Sequence, residues 1–504
     1  MGLSTDYLGI PDWVNKPEGY QAGVTVRYNQ NIFKTAFWGS EPGVGNPEEN
    51  GWRFDDELYD LTSQAHTQEA KIIAYIPTWR KTEGFDYANE KIYQNITHGI
   101  ISFLMFEEKN LGEFTQTSVN DVNEILDDIV TTGHKNNAKI LIALGGATDY
   151  GFLYLMEKIG NNPSDPLLPQ TVNKVVKFIN DHSLDGVDLD LECWWAKNPG
   201  DPDQGGRPTG DPHPAGLGLT KFAERLKQAL PLGKTVSAAV FATSWYGNNY
   251  DPKLADYVEW IGVMSYDLTG ASDKSPVGPH TKLFSIREQK AYTPEQQEKP
   301  WPALPERPPK PDDNPIISVE DSLWYWSNSY FVNWQTKGQG LPRNKLAFGV
   351  PTYGYDFAYK KDQDPQSHEI PPGYKVIQYK DIVRNYPYSD TAPYANIKEL
   401  GSTPRPDFVS HVPGNYPYAH NIYFETPETA VEKLKFLKYV GVQGVIVWDI
   451  TGDDWQGNKS IIKALYQAKD LPVDLSAISG FYTKKQQYPN VPVGVEKVSQ
   501  AAPV

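Results

Sequence analysis

Asp185 to Glu192, which reads DGVDLDLE, is the stretch on which the fold of this chain turns. Residues two apart on a β-strand share a face, so Asp188, Asp190 and Glu192 point one way while Val187, Leu189 and Leu191 point the other. A strand with one wholly apolar face must bury that face. If helices cover it, the acids enter the interior of a closed sheet and face its C-terminal rim, where parallel barrels carry their reactive groups. An edge strand with a solvated acidic face would alternate in the same way, but the neighbouring segments pattern as buried strands.

Three apolar runs precede this strand, KIIAYIPTW from Lys71, ITHGIISFL and KILIALGG, and four follow it, KTVSAAVFA, VEWIGVMSYD, KLAFGVPTYG and GVQGVIVWDI. Helical patterns lie between them. In TVNKVVKFINDH, Val172, Val175, Val176 and Ile179 fall on one face at the 3.6-residue period. In TPETAVEKLKFLKYVG, Thr426 caps, Pro427 suits the first turn, Leu434 and Leu437 point inward and Gly441 ends the helix. Eight strands alternating with helices give right-handed βαβ units, and eight suffice to close a barrel. The fold class expected is α/β, a (β/α)8 barrel over 71–470. An aromatic, turn-rich interval at 355–420 reads as an α+β insertion between the seventh and eighth strands. Residues 294–316, rich in Pro and charge, read as a surface loop, and 472–504 as a loosely ordered tail. Ahead of the barrel, 8–55 reads as a separate small β module.

The 504 residues carry 47 Lys and Arg against 63 Asp and Glu, a net charge of −16, with no basic run of the kind that binds nucleic acid. Aromatics make up 13%, including 14 Trp and 31 Tyr, a composition suited to stacking on flat apolar ligand faces such as sugars. Cys193 is the only cysteine, so neither an intrachain disulfide nor a cysteine metal cluster can form. No apolar run approaches the roughly 18 residues of a membrane span, and MGLSTDYLGIPDWV lacks the features of a signal peptide. There is no Gly-rich phosphate loop and no His-acid cluster with metal spacing, so no cofactor or metal is expected.

Three carboxylates on one buried face cannot all ionise cheaply, since burial and mutual repulsion raise the pKa of at least one and create a proton donor. DGVDLDLE fits the DGxDxDxE signature of glycoside hydrolase family 18, and the other strands resemble that family's strands in the same order. The resemblance implies a chitinase acting on chitin and chitooligosaccharides. Glu192 would protonate the glycosidic oxygen, Asp190 would orient the substrate's acetamido group while sharing a proton with Asp188, and that acetamido group would serve as nucleophile. VMSYD resembles the family's MxYD strand and places Met264, Tyr266 and Asp267 around the same sugar, with Tyr266 reaching the acetamido carbonyl. GVIVWDI resembles the eighth strand and assigns Trp448 to the floor of the pocket. Tyr75 and Phe103 take aromatic positions on the first two strands, and Tyr353 and Trp194 join the expected substrate-binding set.

Three departures from the family pattern stand out. The third strand ends ALGG rather than SxGG, so Ala143 lacks a hydroxyl that would help hold the acids. Cys193, Trp194 and Trp195 replace the usual aromatic-Pro turn after the acid. The seventh strand carries Tyr353, Gly354 and Tyr355 where YxR is usual. The insertion resembles that of deep-cleft members, which favours processive or exo-type action.

The N-terminal stretch, with Trp13, Tyr20, Gly23, Val26, Tyr28, Phe33, Phe37, Trp38, Pro42 and Trp52, resembles a chitin-binding module of type 5/12. The resemblance puts Phe37 and Trp38 at the paired-aromatic position. Its alternative is a mini-core that uses the rings internally. Two other functions share the barrel: an endo-β-N-acetylglucosaminidase acting on N-glycans, and an inactive sugar-binding lectin. The substrate implies a secreted protein, and some similar chitinases that lack ordinary signal peptides are components of larger toxin complexes.

Overall fold

The computed structural model describes residues 11, 13–28, 31–36, 41–42, 51–59, 69–195, 207, 210–268, 280–283, 317–327, 338–356, 359–360, 375–385, 418–419 and 422–472. Phe37, Trp38 and the tail from 473 onward lie outside them.

At the N-terminus β1 (Thr25–Tyr28), β2 (Asn31–Thr35) and β3 (Trp52–Tyr59) pair antiparallel in that order. Tyr20, Val26, Phe33 and Trp52 close a small core beneath the sheet, with the Tyr20 and Trp52 rings meeting edge-on at 5.3 Å. These rings are therefore spent on packing, and β3 carries the sheet past residue 55.

The chain then runs through β4 (Lys71–Pro77), β5 (His98–Leu104), β6 (Lys139–Gly145), β7 (Gly186–Asp190), β8 (Thr235–Phe241), β9 (Ile261–Met264) and β10 (Leu346–Pro351). After an insertion with β11 (Tyr353–Asp356), β12 (Tyr359–Lys360), β13 (Lys375–Gln378), β14 (Tyr418–Ala419) and β15 (Ile422–Phe424) comes β16 (Gly444–Trp448). The strands β4 to β10 and β16 form a closed parallel barrel, sealed where β16 pairs with both β10 and β4. The eight-stranded barrel read from the sequence is the observed fold.

Alternation separates two packing shells. Val187, Leu189 and Leu191 join the outer core with Val172, Val175 and Ile179 of the helix Leu167–Asp181. Ile73, Tyr75, Ile100, Leu141, Ala143, Ala347 and Ile446 fill the barrel interior. Each fully buried apolar side chain of this kind contributes roughly 1.5–3 kcal/mol, which fixes the register that decides which side chains face inward. Thr426 caps the helix Pro427–Tyr439 in a capping box with Thr429, and Gly441 turns beyond it at φ +88°. In the insertion, β11 lies between β13 and β15, all antiparallel, beside the helix Tyr379–Asn385. No helix among the described residues is long and apolar enough to cross a membrane.

Candidate active site

Strand β7 delivers its acids to the barrel interior at the C-terminal end. Asp188 is fully buried, its Oδ2 accepting from the Tyr75 hydroxyl at 2.9 Å and its Oδ1 from the Ser237 hydroxyl at 2.6 Å. Ser237 faces Asp188 in register across β7 and β8, while Ala143 faces it across β6 and β7. The hydroxyl missing at Ala143 is thus supplied from the other neighbouring strand. Burial pushes the Asp188 carboxyl up to about 6, against the pull of these two donors.

Asp190, one pleat nearer the mouth, is 3% exposed and its Oδ1 has no hydrogen-bond partner among the described residues. Burial, and then the charges of Glu192 and Asp188, raise its pKa well above that of an ordinary carboxylate, and it shares a hydrogen bond with Glu192. Glu192 sits half-buried just past the strand end, pushed up to about 7 by desolvation and then by the negative charge of Asp267. A carboxylic acid that is still protonated near neutral pH stands at the barrel mouth.

Backbone geometry makes room for this line of acids. Gly145 and Gly146 at the end of β6 adopt φ of +109° and +94°. A Cβ on Gly145 would lie 2.1 Å from the Asp190 carbonyl oxygen, and one on Gly146 would meet the Phe103 ring at 2.9 Å.

Opposite, β9 ends at Met264 and leads to Tyr266, whose ring packs so closely on Gly349 of β10 that a Cβ there would approach it to 2.6 Å. Asp267 follows in a left-handed conformation, φ +56°. Its Oδ1 accepts from the hydroxyls of Tyr353 at 2.6 Å and Tyr355 at 2.8 Å, and its backbone N–H donates to His280 Nδ1 at 3.2 Å. Against partial desolvation, His280 and the two tyrosines hold the Asp267 carboxyl below its ordinary pKa, so it stays anionic beside Glu192. In place of the arginine of the usual YxR, β11 presents a second phenol. The alternation along β11 puts Tyr353 and Tyr355 on one side of the strand.

Rings build one wall of the mouth. Phe103 stacks on Trp448 at 6.0 Å and 24°, and on Trp79 at 6.3 Å and 19°. Tyr75 lies 5.5 Å from Trp448. Trp79, 45% exposed, was missed in the sequence because it falls in the 3-10 turn Thr78–Glu83, where strand alternation no longer says which way a side chain points.

Trp194 corrects the expected set. It is 2% exposed, and its indole N–H donates to the Tyr250 hydroxyl at 3.2 Å, which in turn donates to the Leu191 carbonyl at 2.7 Å. It braces the turn after Glu192 from behind and presents no face to the mouth. Its neighbour Trp195, 37% exposed, rests edge-on against Phe241 and Tyr246. The structure thus gathers Tyr75, Phe103, Asp188, Asp190, Glu192, Met264, Tyr266, Asp267, Tyr353 and Trp448 at the C-terminal end of the barrel or on the segments that continue from it. Among the described residues, no group of three or more His, Cys, Asp or Glu could hold a metal ion.

The family model for glycosyl hydrolases family 18 matches residues 71–453. The chain is 24% identical over 412 residues to the Drosophila melanogaster protein named "Probable chitinase 10", an alignment covering 77% of this chain and 15% of that protein. It is 24% identical over 437 residues to the "Endochitinase" of Manduca sexta, covering 81% of this chain and 68% of that protein. The chain therefore spans only a small part of the first relative and about two thirds of the second. Catalytic domain 2 of the Ostrinia furnacalis Group II chitinase superposes with a TM-score of 0.55 at 18% identity, covering 80% of this chain and 97% of that domain, a likeness of fold.

Proposed function

Since the chain belongs to glycoside hydrolase family 18, we propose that it is a chitinase that hydrolyses β-1,4-linked N-acetylglucosamine polymers with retention of configuration. The observation that carries this reading is the buried, unpartnered Oδ1 of Asp190, set between Asp188 and Glu192 beneath an aromatic wall. An acceptor left bare in such a place is costly unless a ligand N–H meets it, and an acetamido group supplies one.

In the proposed reaction the Asp190 carboxyl receives the acetamido N–H and the Tyr266 hydroxyl reaches its carbonyl oxygen, so that oxygen lies beneath the anomeric carbon. Glu192 gives its proton to the glycosidic oxygen as the bond breaks, and the acetamido oxygen closes on the anomeric carbon. Water then opens the cyclised intermediate from the face that the leaving group vacated, giving its proton back to Glu192. Retention follows from two successive inversions. An NMR time course on chitotetraose should show the β-anomer first, and initial formation of the α-anomer would overturn the mechanism. Complete inertness towards chitotetraose, with binding intact, would instead favour the lectin reading.

Ser237 fixes the far end of the acid line. Ser237→Ala removes a donor from Asp188 and pushes that carboxyl's pKa further up, weakening the negative charge behind Asp190. With a hydrogen bond to a charged group contributing about 1.5–3 kcal/mol, the thermal midpoint should drop, and kcat measured well below that midpoint should still fall roughly tenfold or more, as kinetics and calorimetry on one preparation would test.

Residues from about 8 to 55 tether the enzyme to solid chitin on this reading, with Phe37 and Trp38 stacking on the polymer surface. Deleting the segment should weaken adsorption to insoluble chitin and leave hydrolysis of soluble tetramers nearly unchanged. Equal loss on both substrates would assign the segment to the barrel's fold. Because the substrate is an extracellular polymer, the site of action is outside the cell.

A further inference from the structure

At the end of the barrel away from the carboxylates, the alternation that sends Ile73 and Tyr75 of β4 inward runs back to Lys71, the strand's first residue. By the same period, Leu141 and Ala143 put Lys139 inward on β6, and Ala347 of β10 puts Lys345 inward just ahead of that strand. Ser237, which meets Asp188 in the interior, puts Thr235 inward on β8. Alternate strands of an eight-stranded barrel contribute the side chains of one layer. The floor layer here is therefore Lys71, Lys139, Thr235 and Lys345.

These four residues line a cavity of about 430 Å³, within the range of roughly 300–1,000 Å³ typical of small-molecule sites. Lys227, Lys234 and His98 extend the lining, so five lysines border the cavity in a chain of net charge −16. The one carboxylate in the lining, Glu259, is 57% exposed and 3.8 Å from Lys71.

Neutral oxygens take part of the donor capacity. Lys71 donates to Gln443 Oε1 at 2.7 Å, Lys345 to the Val258 carbonyl at 2.8 Å and Lys227 to the Asp256 carbonyl at 2.9 Å. Each ammonium has three N–H groups, and a carbonyl leaves the charge uncompensated. Burial lowers the pKa of Lys71, the attraction and hydrogen bond of Glu259 oppose it, and repulsion from Lys139 and Lys345 adds to the lowering. His98 is pushed down to about 3 by burial, with the charges of Lys71 and Lys139 adding to it, and stays neutral. Five lysines against one exposed carboxylate leave the lining with an excess of positive charge.

We propose that the barrel floor is a binding site for a compact polyanion, a small molecule with two or more phosphate or carboxylate groups, distinct from the sugar cleft at the mouth. Chitin is uncharged and gains nothing from five lysines, so the floor recognises a different chemistry. A dianion or trianion accepts the spare N–H groups of several lysines at once and cancels their mutual repulsion.

Inorganic pyrophosphate is the probe, titrated into the full chain by calorimetry and followed by thermal denaturation, with sodium chloride at matched ionic strength as control. The expected result is one-to-one binding and a thermal midpoint that climbs with the logarithm of pyrophosphate concentration. Lys139→Ala combined with Lys345→Ala should weaken binding by about 100-fold, roughly tenfold per lost charge-assisted hydrogen bond. Chitotetraose hydrolysis should be unchanged, and the thermal midpoint without pyrophosphate should be equal to or above that of the parent, because the repulsion is gone. Should the double variant fail to fold, Lys139→Gln, at an exposed side chain, should weaken binding about tenfold on its own. A pyrophosphate effect no larger than that of matched chloride, or undiminished binding by the variant that folds, overturns the proposal.

Discussion

Fully deacetylated chitosan oligomers are expected to turn over at least about 10⁵-fold more slowly than chitooligosaccharides of equal length, the lower end of what a well-placed internal nucleophile gains over an external one. An ordinary retaining glycosidase sets a second carboxylate roughly 5–5.5 Å from its acid, across the scissile bond. Each candidate here is committed elsewhere. Asp188 is tied to Tyr75 and Ser237 inside the barrel, Asp190 shares a hydrogen bond with Glu192 on the same side of the sugar, and Asp267 is held by Tyr353 and Tyr355. With none of these three carboxylates free to attack, removing the acetyl group removes the nucleophile of the proposed mechanism. Cellooligosaccharides should be equally inert. Product chromatography on matched tetramers measures the ratio, and comparable turnover of the deacetylated series would point to a carboxylate nucleophile.

Glu192→Gln should lower kcat by roughly 10²–10⁴-fold on chitooligosaccharides while their dissociation constant changes little, since the amide keeps the shape and loses the transferable proton. Two pH measurements test the same assignment. With the Glu192 carboxyl at about 7, kcat/KM of the parent enzyme should decline as pH rises through 7. Stability follows the same group. Its folded pKa lies above its ordinary value of 4.5, so between about 4.5 and 7 the folded state binds more protons than the unfolded one, and stability falls as pH rises through that window. The glutamine variant is free of that loss. Its thermal midpoint should exceed the parent's at pH 8 and match it near pH 4. Near-full activity with an unchanged pH profile would remove Glu192 from the proposed role.

The barrel was legible because strands buried on both faces read as near-continuous apolar runs, and because the exception, Asp188–Glu192, alternates cleanly enough to assign its faces. The partners of those acids were less accessible. Ser237 and Tyr75 reach Asp188 across 49 and 113 residues of chain, contacts that exist only once the barrel has closed. In the turn after Glu192, alternation stops, so nothing in the sequence distinguishes the buried Trp194 from the exposed Trp195. Tyr355 looked like the loss of an arginine contact. Only the pairing of β11 with β13 and β15 reveals that its hydroxyl joins that of Tyr353 on Asp267. The floor lysines, by contrast, follow from extending the strand periods back by one pleat, a step that the attention drawn by the acidic end obscures.

The packed cluster of Trp79, Phe103 and Trp448, in which Phe103 stacks on both indoles and these tilt by 41° to each other, has a geometric corollary. A rigid aromatic wall with one exposed ring, Trp79, complements a polymer whose successive sugars lie in an extended ribbon, as β-1,4 linkages enforce, and offers that ring to an apolar sugar face. An α-linked glucan coils, lifting alternate residues off any plane. On the proposed function, such a wall would discriminate by the curvature of the whole chain before any acetyl group is recognised, and helical glycans of similar composition should bind more weakly by shape alone.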